Sequence, residues 1–371
     1  MSNLQHRVTN ALAKVIDPEL GLPITELGMV GDLTGDDSSF AIEVKLTVSH
    51  CPQSDFLFSQ SQSVLNEEFG AGVGLVRLSV MTKEELTSLK IKLRGPEKAN
   101  PFGPGSATRV VLVGSGKGGV GKSTITSNLA VSLSQSGYQV GLIDADIFGF
   151  SITNQLGITE RPTRLDDMML PPISHGVKVI SIGMFLEGNE PVSWRGPMLH
   201  KAIEQFLTDV YWGQLDFLII DMPPGTGDVA ISIGQLLPNA KALVLTTAAQ
   251  ASALVAVRSG LAAHKAGHEI IGVVENMSWL ADASGSRQAL FGSGGGDEVA
   301  QNLSTATGYP VSLLSQIPIS QALAESSNSG LPLVLSEIPD PATLAIKGLA
   351  EVVANTKLDK QARVLQVKLN Q

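Results

Sequence analysis

The stretch that most constrains this 371-residue chain is Gly114–Thr124, GSGKGGVGKST. An apolar, β-branched run (Val110, Val111, Leu112, Val113) leads into it, and Ile125 to Gln135 follows with helical periodicity and no Gly or Pro. A buried strand, a Gly-rich turn and a helix start are the context a phosphate-binding loop requires. Gly116, Gly118, Gly119 and Gly121 let the main chain approach an anion and aim its N–H groups at it. A helix beginning near Lys122 adds the positive end of its dipole. Lys122 supplies a point charge for the outer phosphates, and the Ser123 hydroxyl is placed to ligate Mg²⁺. GxxxxGK[ST] between a strand and a helix is far more specific than a lone GxGxxG.

Composition mostly excludes. The length predicts two or three domains with ample core. Hydrophobic residues make up 43% and aromatics 5%, which favours the aliphatic core of a parallel sheet flanked by helices. A net charge of −9 and the lack of a long Lys/Arg run argue against a nucleic-acid surface. A single cysteine, Cys51, excludes a disulfide framework and any thiolate cage within one chain. Met1 to Lys14 carries no signal pattern, and the most apolar window, Ala240 to Ala263, reads as a buried strand followed by a helix, not a membrane span. The expected location is cytoplasmic, with no membrane partner.

In chain order, residues 1–94 form a small α+β unit. Gln5 to Val15 has helical spacing, and Asp17-Pro18-Glu19 breaks it. Phe40 to Val48 alternates as a half-buried strand, Gln53 to about Phe69 reads as a helix, and Val73 to Val80 as another strand. Residues 95–108 form a Gly/Pro-rich linker. Residues 109–355 form the larger domain, with strands at Arg109–Val113, Gln139–Ile143, Val177–Ile182, Asp216–Ile220, Ala242–Thr246, Glu269–Val274 and Val311–Leu314. Strand–helix alternation of this kind gives an α/β fold with a mainly parallel, doubly wound sheet and ligands at the carboxyl ends of the strands. Residues 356–371 are a tail whose Leu358, Ala362, Leu365 and Leu369 share a helical face, more in keeping with a packed helix than with a membrane anchor. His264 and His268 share helical spacing beside Gly267 and read as a solvated face.

Carboxylates complete the expected site. Asp144 and Asp146, in GLIDADIFGFS, follow a strand and project toward a nucleotide crevice, where the pair can hold Mg²⁺ through water and orient an attacking water. Asp221, ending the apolar strand of DFLIIDMPPGTGD, fits the second Mg²⁺ element of phosphate-loop enzymes. The loop Pro223-Pro224-Gly225-Thr226-Gly227 suits a segment that changes when the γ-phosphate leaves.

GKGGVGKS, with its additional Lys117, resembles the deviant phosphate loop of the family that includes MinD, ParA and the nitrogenase iron protein. That resemblance implies ATP with Mg²⁺ as ligands and a homodimer in which Lys117 reaches the partner's nucleotide. It implies nucleotide contacts from Gly116, Lys117, Gly118, Gly119, Val120, Gly121, Lys122, Ser123 and Thr124, and gives Asp146 the water-positioning role. It also places Asn276 and Pro318 beside the adenine. VIDPELGLPITELGMV with LTVSHCPQSDFL, together with WRGPMLHKAIEQFL and DMPPGTGD, is similar to the Mrp/ApbC-type ATPases of iron–sulfur cluster assembly. Their partners are assembly factors and apoprotein targets. The chain departs from their pattern at Phe150, usually Pro, and above all after ENMS. The family carries a Cys-x-x-Cys pair there, and this chain reads ENMSWLADASGSRQALFGSGGG, so the [4Fe–4S] cargo lacks its usual ligands; Asp282 and Ser284 do not normally replace thiolates. Cys51, at a strand-to-helix turn, is then the sole candidate thiolate. Its expected pKa is lowered by the helix N-terminus, although a small buried core residue fits equally well. His50 beside it receives no role. The reading from residues and resemblance is a slow, Mg²⁺-dependent ATPase of iron–sulfur assembly, with a MinD/ParA-like nucleotide-switched scaffold as the alternative.

Overall fold

The computed structural model of the protein describes residues 3–49, 51–94, 99–146, 149–186, 196–225, 233–281 and 286–356. By internal contacts the chain divides into two compact units. Unit 1 comprises Met1–Ala99 with two excursions from later in the chain, Thr163–Pro171 and Asp209–Gly213; the remainder is unit 2.

Unit 1 contains α1 (Asn3–Leu12), β1 (Val30–Asp36), β2 (Ser39–Leu46), α2 (Ser54–Phe69), β3 (Gly74–Val80) and α3 (Lys83–Arg94). Its sheet runs β1-β2-β3, with β1 antiparallel and β3 parallel to β2. In β2 the even positions Phe40, Ile42, Val44 and Leu46 are buried, the two-residue period of a strand with one face on a core. The β1 strand escapes sequence reading because VGDLTGD is polar and Gly-rich and its residues are mostly exposed. A hairpin from the first excursion, β6 (Thr163–Leu165) with β7 (Met168–Leu170), contributes Leu165, Met168 and Leu170 to the same hydrophobic core as Cys51, Leu57 and Ile42. Its turn residues Asp166 and Asp167 pair with Lys90 at 2.8 and 3.1 Å.

Unit 2 is built on an eight-stranded sheet of β4 (Arg109–Ser115), β5 (Val140–Asp144), β8 (Ile173–Ser174), β9 (Val177–Ser181), β10 (Phe217–Asp221), β11 (Lys241–Thr247), β12 (Glu269–Asn276) and β15 (Leu313–Ile317). The order is β15-β12-β11-β4-β10-β5-β9-β8, parallel except for β8. The central strands are buried end to end, VVLV in β4 and FLI in β10 among them, as a sheet covered on both faces requires. Helices α4 (Lys122–Gln135), α5 (Ile152–Gln155), α6 (Gly196–Thr208), α7 (Gln250–Lys265), α8 (Gly295–Thr307), α9 (Gln321–Ser329) and α10 (Pro341–Ala354) lie between or after the strands. A short hairpin, β13 (Leu280–Ala281) with β14 (Arg287–Gln288), follows β12.

The alternating α/β organisation is therefore the one expected, and the window 240–263 is a strand and a helix. One expectation is overturned. His268 does not share a solvated face with His264: α7 ends at Lys265, and His268, 1% exposed, bonds through Nδ1 to the Ala240 carbonyl at 3.0 Å. Gly267, at φ +99, turns the chain inward just before it. The start of WRGPMLHKAIEQFL at Trp194, Thr226, Gly227, Asp228, Asp282, Ser284, His50 and the tail from Leu358 lie outside the described residues.

Candidate functional site

The phosphate loop is held in shape by what surrounds it. Gly116 has no room for a side chain: a Cβ there would lie 2.2 Å from the Val255 main chain on α7. Gly121, at φ +81, precedes the first residue of α4, and a Cβ on it would lie 2.3 Å from Asn276 Nδ2. Both positions accept glycine alone. The Ser115 hydroxyl donates to the Lys117 carbonyl at 3.0 Å, closing the turn, and the Lys117 side chain is exposed. The loop borders a pocket of about 350 Å³ lined by Lys117, Gly118, Gly119, Gly121, Lys122, Ser123 and Thr124 together with Asp146, Gly149, Ser151, Gln155 and Pro224. Val120 is buried beneath it.

Strand register brings the carboxylates to this corner. Asp221 and Asp144 are paired neighbours at the carboxyl ends of β10 and β5. Asp221 is fully buried and takes three side-chain donors: Lys122 Nζ at 2.7 Å and Ser123 Oγ at 2.5 Å on Oδ2, and Thr126 Oγ1 at 2.9 Å on Oδ1. Burial pushes its carboxyl pKa up, and the Lys122 ammonium and these hydrogen bonds pull the other way. Asp146 Oδ2 lies 3.4 Å from the same ammonium, while its buried Oδ1 has no partner among the described residues.

Asp144 differs from the expected open carboxylate. Its Oδ1 accepts the Asp146 N–H at 3.1 Å, and its Oδ2 accepts the Ser181 hydroxyl at 3.1 Å and the Ile152 N–H at 3.4 Å. It does not line the pocket. Burial, then the neighbouring Asp221, raises its pKa to about 7. The pairing of Asp144 with Asp146 as two metal-facing carboxylates is thus corrected: Asp144 tethers the segment that carries Asp146 and the start of α5, because a buried carboxylate takes the nearest N–H and O–H donors. Phe150, the departure from Pro, packs near Gly183, where an added Cβ would meet its ring at 2.4 Å.

Asn276 and Ile317 are register partners on β12 and β15, which sets Asn276 beside Pro318. The Asn276 amide donates to the Val120 carbonyl at 2.9 Å, bracing the loop from beneath. The hydroxyl and carboxylate oxygens of Ser123 and Asp221, with the unpartnered Asp146 Oδ1 beside the same lysine, form a hard, oxygen-only donor set that fits Mg²⁺.

Cys51 belongs to unit 1 and has a different environment. It is 6% exposed, and burial, reinforced by Glu19 and Asp17, raises its thiol pKa to about 11 against the pull of the Gln53 N–H. The expectation of a lowered pKa is overturned: α2 begins only at Ser54, and its favourable end is outweighed by desolvation. Asp17 and Glu19, whose sequence suggested only a helix break, are themselves buried. Asp17 Oδ1 accepts the Glu19 and Leu20 N–H groups, both at 2.9 Å, and Glu19 accepts the Thr163 hydroxyl at 3.2 Å. Burial and then Asp17 raise the Glu19 pKa to about 7.

The residues around the site that sequence reading missed are Thr126 and Ser181, which hold Asp221 and Asp144, and Gln155, which lines the pocket. Only Thr126 carried a signal, being one helical turn after Lys122.

Comparison with known proteins places this geometry. Residues 106–354 match the family model described as NUBPL iron-transfer P-loop NTPase, and residues 5–75 match that of an iron–sulfur cluster assembly protein. A protein of Mycobacterium tuberculosis named iron–sulfur cluster carrier protein is 52% identical over 92% of this chain and 90% of its own length. The Bacillus subtilis protein of the same name is 40% identical over 85% and 88%. A nucleotide-binding protein of Archaeoglobus fulgidus, solved with ADP, is 32% identical with a TM-score of 0.53, covering 64% of this chain and 91% of its own. The chain belongs to the family of NUBPL-type iron-transfer P-loop NTPases.

Proposed function

We propose that this protein is a Mg²⁺-dependent ATPase that binds iron–sulfur clusters and transfers them to apoproteins, working as a cytoplasmic homodimer. The observation that carries the reading is the convergence of Lys122, Ser123, Asp146 and the phosphate-loop N–H groups on one pocket, in a chain whose relatives over nearly full length are named cluster carriers. The residue roles follow from charge and position. The loop N–H groups and Lys122 take the β- and γ-phosphates, for which Lys122 leaves Asp221. Ser123 and, through water, Asp221 hold Mg²⁺, which when bound neutralises charge developing on the phosphate oxygens. Asp146 accepts a hydrogen bond from a water and aims its lone pair at the γ-phosphorus. The water oxygen bonds to phosphorus, the bond to the β–γ bridging oxygen breaks with its electron pair leaving on ADP, and the water's proton ends on the released phosphate. Lys117, exposed on the loop, reaches the partner's nucleotide, and Asn276 and Pro318 border the adenine. Hydrolysis is slow and reopens the dimer as the segments after Asp146 and Asp221 relax.

Cys51 is the only thiol the chain offers a cluster. Anaerobic reconstitution with iron and sulfide, read by absorbance and iron count, tests carriage in the wild type and in Cys51→Ser. A cluster in the wild type that transfers to an apoprotein supports the proposal, and its loss in the variant makes Cys51 a ligand. A wild type that takes up no iron overturns carriage and leaves an ATPase without cargo.

A further inference from the structure

We infer that Thr126 is a positioning residue for Mg²⁺-nucleotide binding: its hydroxyl holds the Asp221 carboxylate in the rotamer that presents Oδ2 to Ser123. This deepens the proposed ATPase reading and rests on it. The argument begins with the three donors on Asp221, which are Lys122 Nζ and Ser123 Oγ on Oδ2 and Thr126 Oγ1 on Oδ1. Two of the three are committed elsewhere once a nucleotide is bound, Lys122 to the phosphates and Ser123 to the metal. Thr126 is the donor that stays. Its side chain is fully buried, on the second turn of α4, and carries neither charge nor any contact with the pocket. Its one hydroxyl proton faces two acceptors, Asp221 Oδ1 at 2.9 Å and the Lys122 carbonyl at 2.8 Å. The carboxylate is the stronger acceptor when ionised, and the Lys122 carbonyl is at the i−4 position that the helix ladder already serves.

A carboxylate buried at the end of a strand needs such a donor. Without it Oδ1 is an unsatisfied buried acceptor and the side chain is free to rotate about χ2, so that Oδ2 is no longer held toward Ser123. Partners of this kind orient the groups that touch a metal, and removing one costs about 10- to 100-fold in metal affinity. The effect falls on Mg²⁺ and not on the nucleotide, because Thr126 meets neither the phosphates nor the loop N–H groups.

The test uses the full chain and a fluorescent ADP analogue, titrated in EDTA and then with Mg²⁺ at fixed nucleotide. Thr126→Val keeps the branched shape and removes the hydroxyl. It is expected to bind the analogue in EDTA within about twofold of wild type, and to need on the order of tenfold more Mg²⁺ to reach the tight complex. Thr126→Ser, which restores the hydroxyl, is expected to return the Mg²⁺ midpoint to within about threefold. If Thr126→Val does not fold, Thr126→Ala removes the same group with a better helix former and is read by the same midpoint. A wild-type Mg²⁺ midpoint in a folded hydroxyl-free variant overturns the inference and leaves the ATPase reading standing. A wild type whose nucleotide affinity ignores Mg²⁺ overturns the ATPase reading, and the inference with it.

Discussion

Two corners of this molecule bury carboxylates, and they give them different partners. Around the phosphate loop, Asp221 and Asp144 sit on adjacent strands with the Lys122 ammonium 2.7 Å from Asp221, and Asp146 within 3.4 Å of the same cation. In unit 1, Asp17 and Glu19 lie near Cys51, and among the described residues none of the groups shifting these three is a cation. The first corner surrounds Asp221 and Asp146 with a counter-charge and hydroxyl donors and opens onto a pocket, although burial still pushes the Asp221 carboxyl up and Asp144 to about 7. The second drives its acids and its thiol toward the neutral, protonated forms. Desolvation favours neutrality wherever no opposite charge offsets it, so one corner is arranged to meet an anionic ligand and the other to stay closed.

The comparison breaks most readily at Lys122. Lys122→Ala removes the counter-charge, and ATP hydrolysis is expected to fall on the order of a hundredfold or more; the apo protein should also melt lower, because Asp221 keeps only hydroxyl donors. Undiminished turnover in a phosphate-release assay would remove the loop from the chemistry. The closed corner makes a prediction of comparable size. With a thiol pKa raised to about 11 from an ordinary 9.0, Cys51 at pH 8 carries about a hundredfold less thiolate than a free cysteine. Iodoacetamide should therefore label the native protein that much more slowly than the urea-unfolded chain, and equal rates would show the corner to be open.

Asp146→Ala sharpens the contrast inside the first corner. ATP should still bind, while turnover drops about a hundredfold because the water loses its acceptor; isothermal titration beside a turnover assay separates the two. The smallest effect belongs to Glu19. Its folded pKa of about 7 lies above the ordinary 4.5, so across that window the folded state holds a proton the unfolded state has released. Stability is then present below about pH 4.5 and lost as pH rises to about 7. Glu19→Gln should abolish that loss, on the order of 1–3 kcal/mol in denaturant melts at pH 8 relative to pH 5. A wild type whose stability rises through that range would contradict the burial-driven shift.

How much of this was legible in the sequence depends on the range of the interaction. The loop, its strand and its helix are one contiguous signal, and the other parallel strands announce themselves as apolar β-branched runs. The two carboxylate corners were legible as positions and not as environments. Asp144 and Asp146 look alike in LIDADI, and the strand register together with Ser181 decides that one anchors a loop while the other faces the pocket. Cys51 next to a helix start suggested an activated thiol; the hairpin 163–170 and α1, distant in sequence, supply the core that buries it. Asp17-Pro18-Glu19 reads as a helix stop, and only tertiary packing turns it into a buried acid pair. Thr126 is one helical turn from Lys122, yet its partner Asp221 is 95 residues away.

The measurement that tests the central claim most directly is calorimetric titration of the wild-type chain with a slowly hydrolysed ATP analogue, with and without Mg²⁺. The account predicts one nucleotide per chain, bound more tightly with Mg²⁺, the heat signal disappearing in Lys122→Ala. Absence of binding by the wild type, or equal binding by Lys122→Ala, would contradict it.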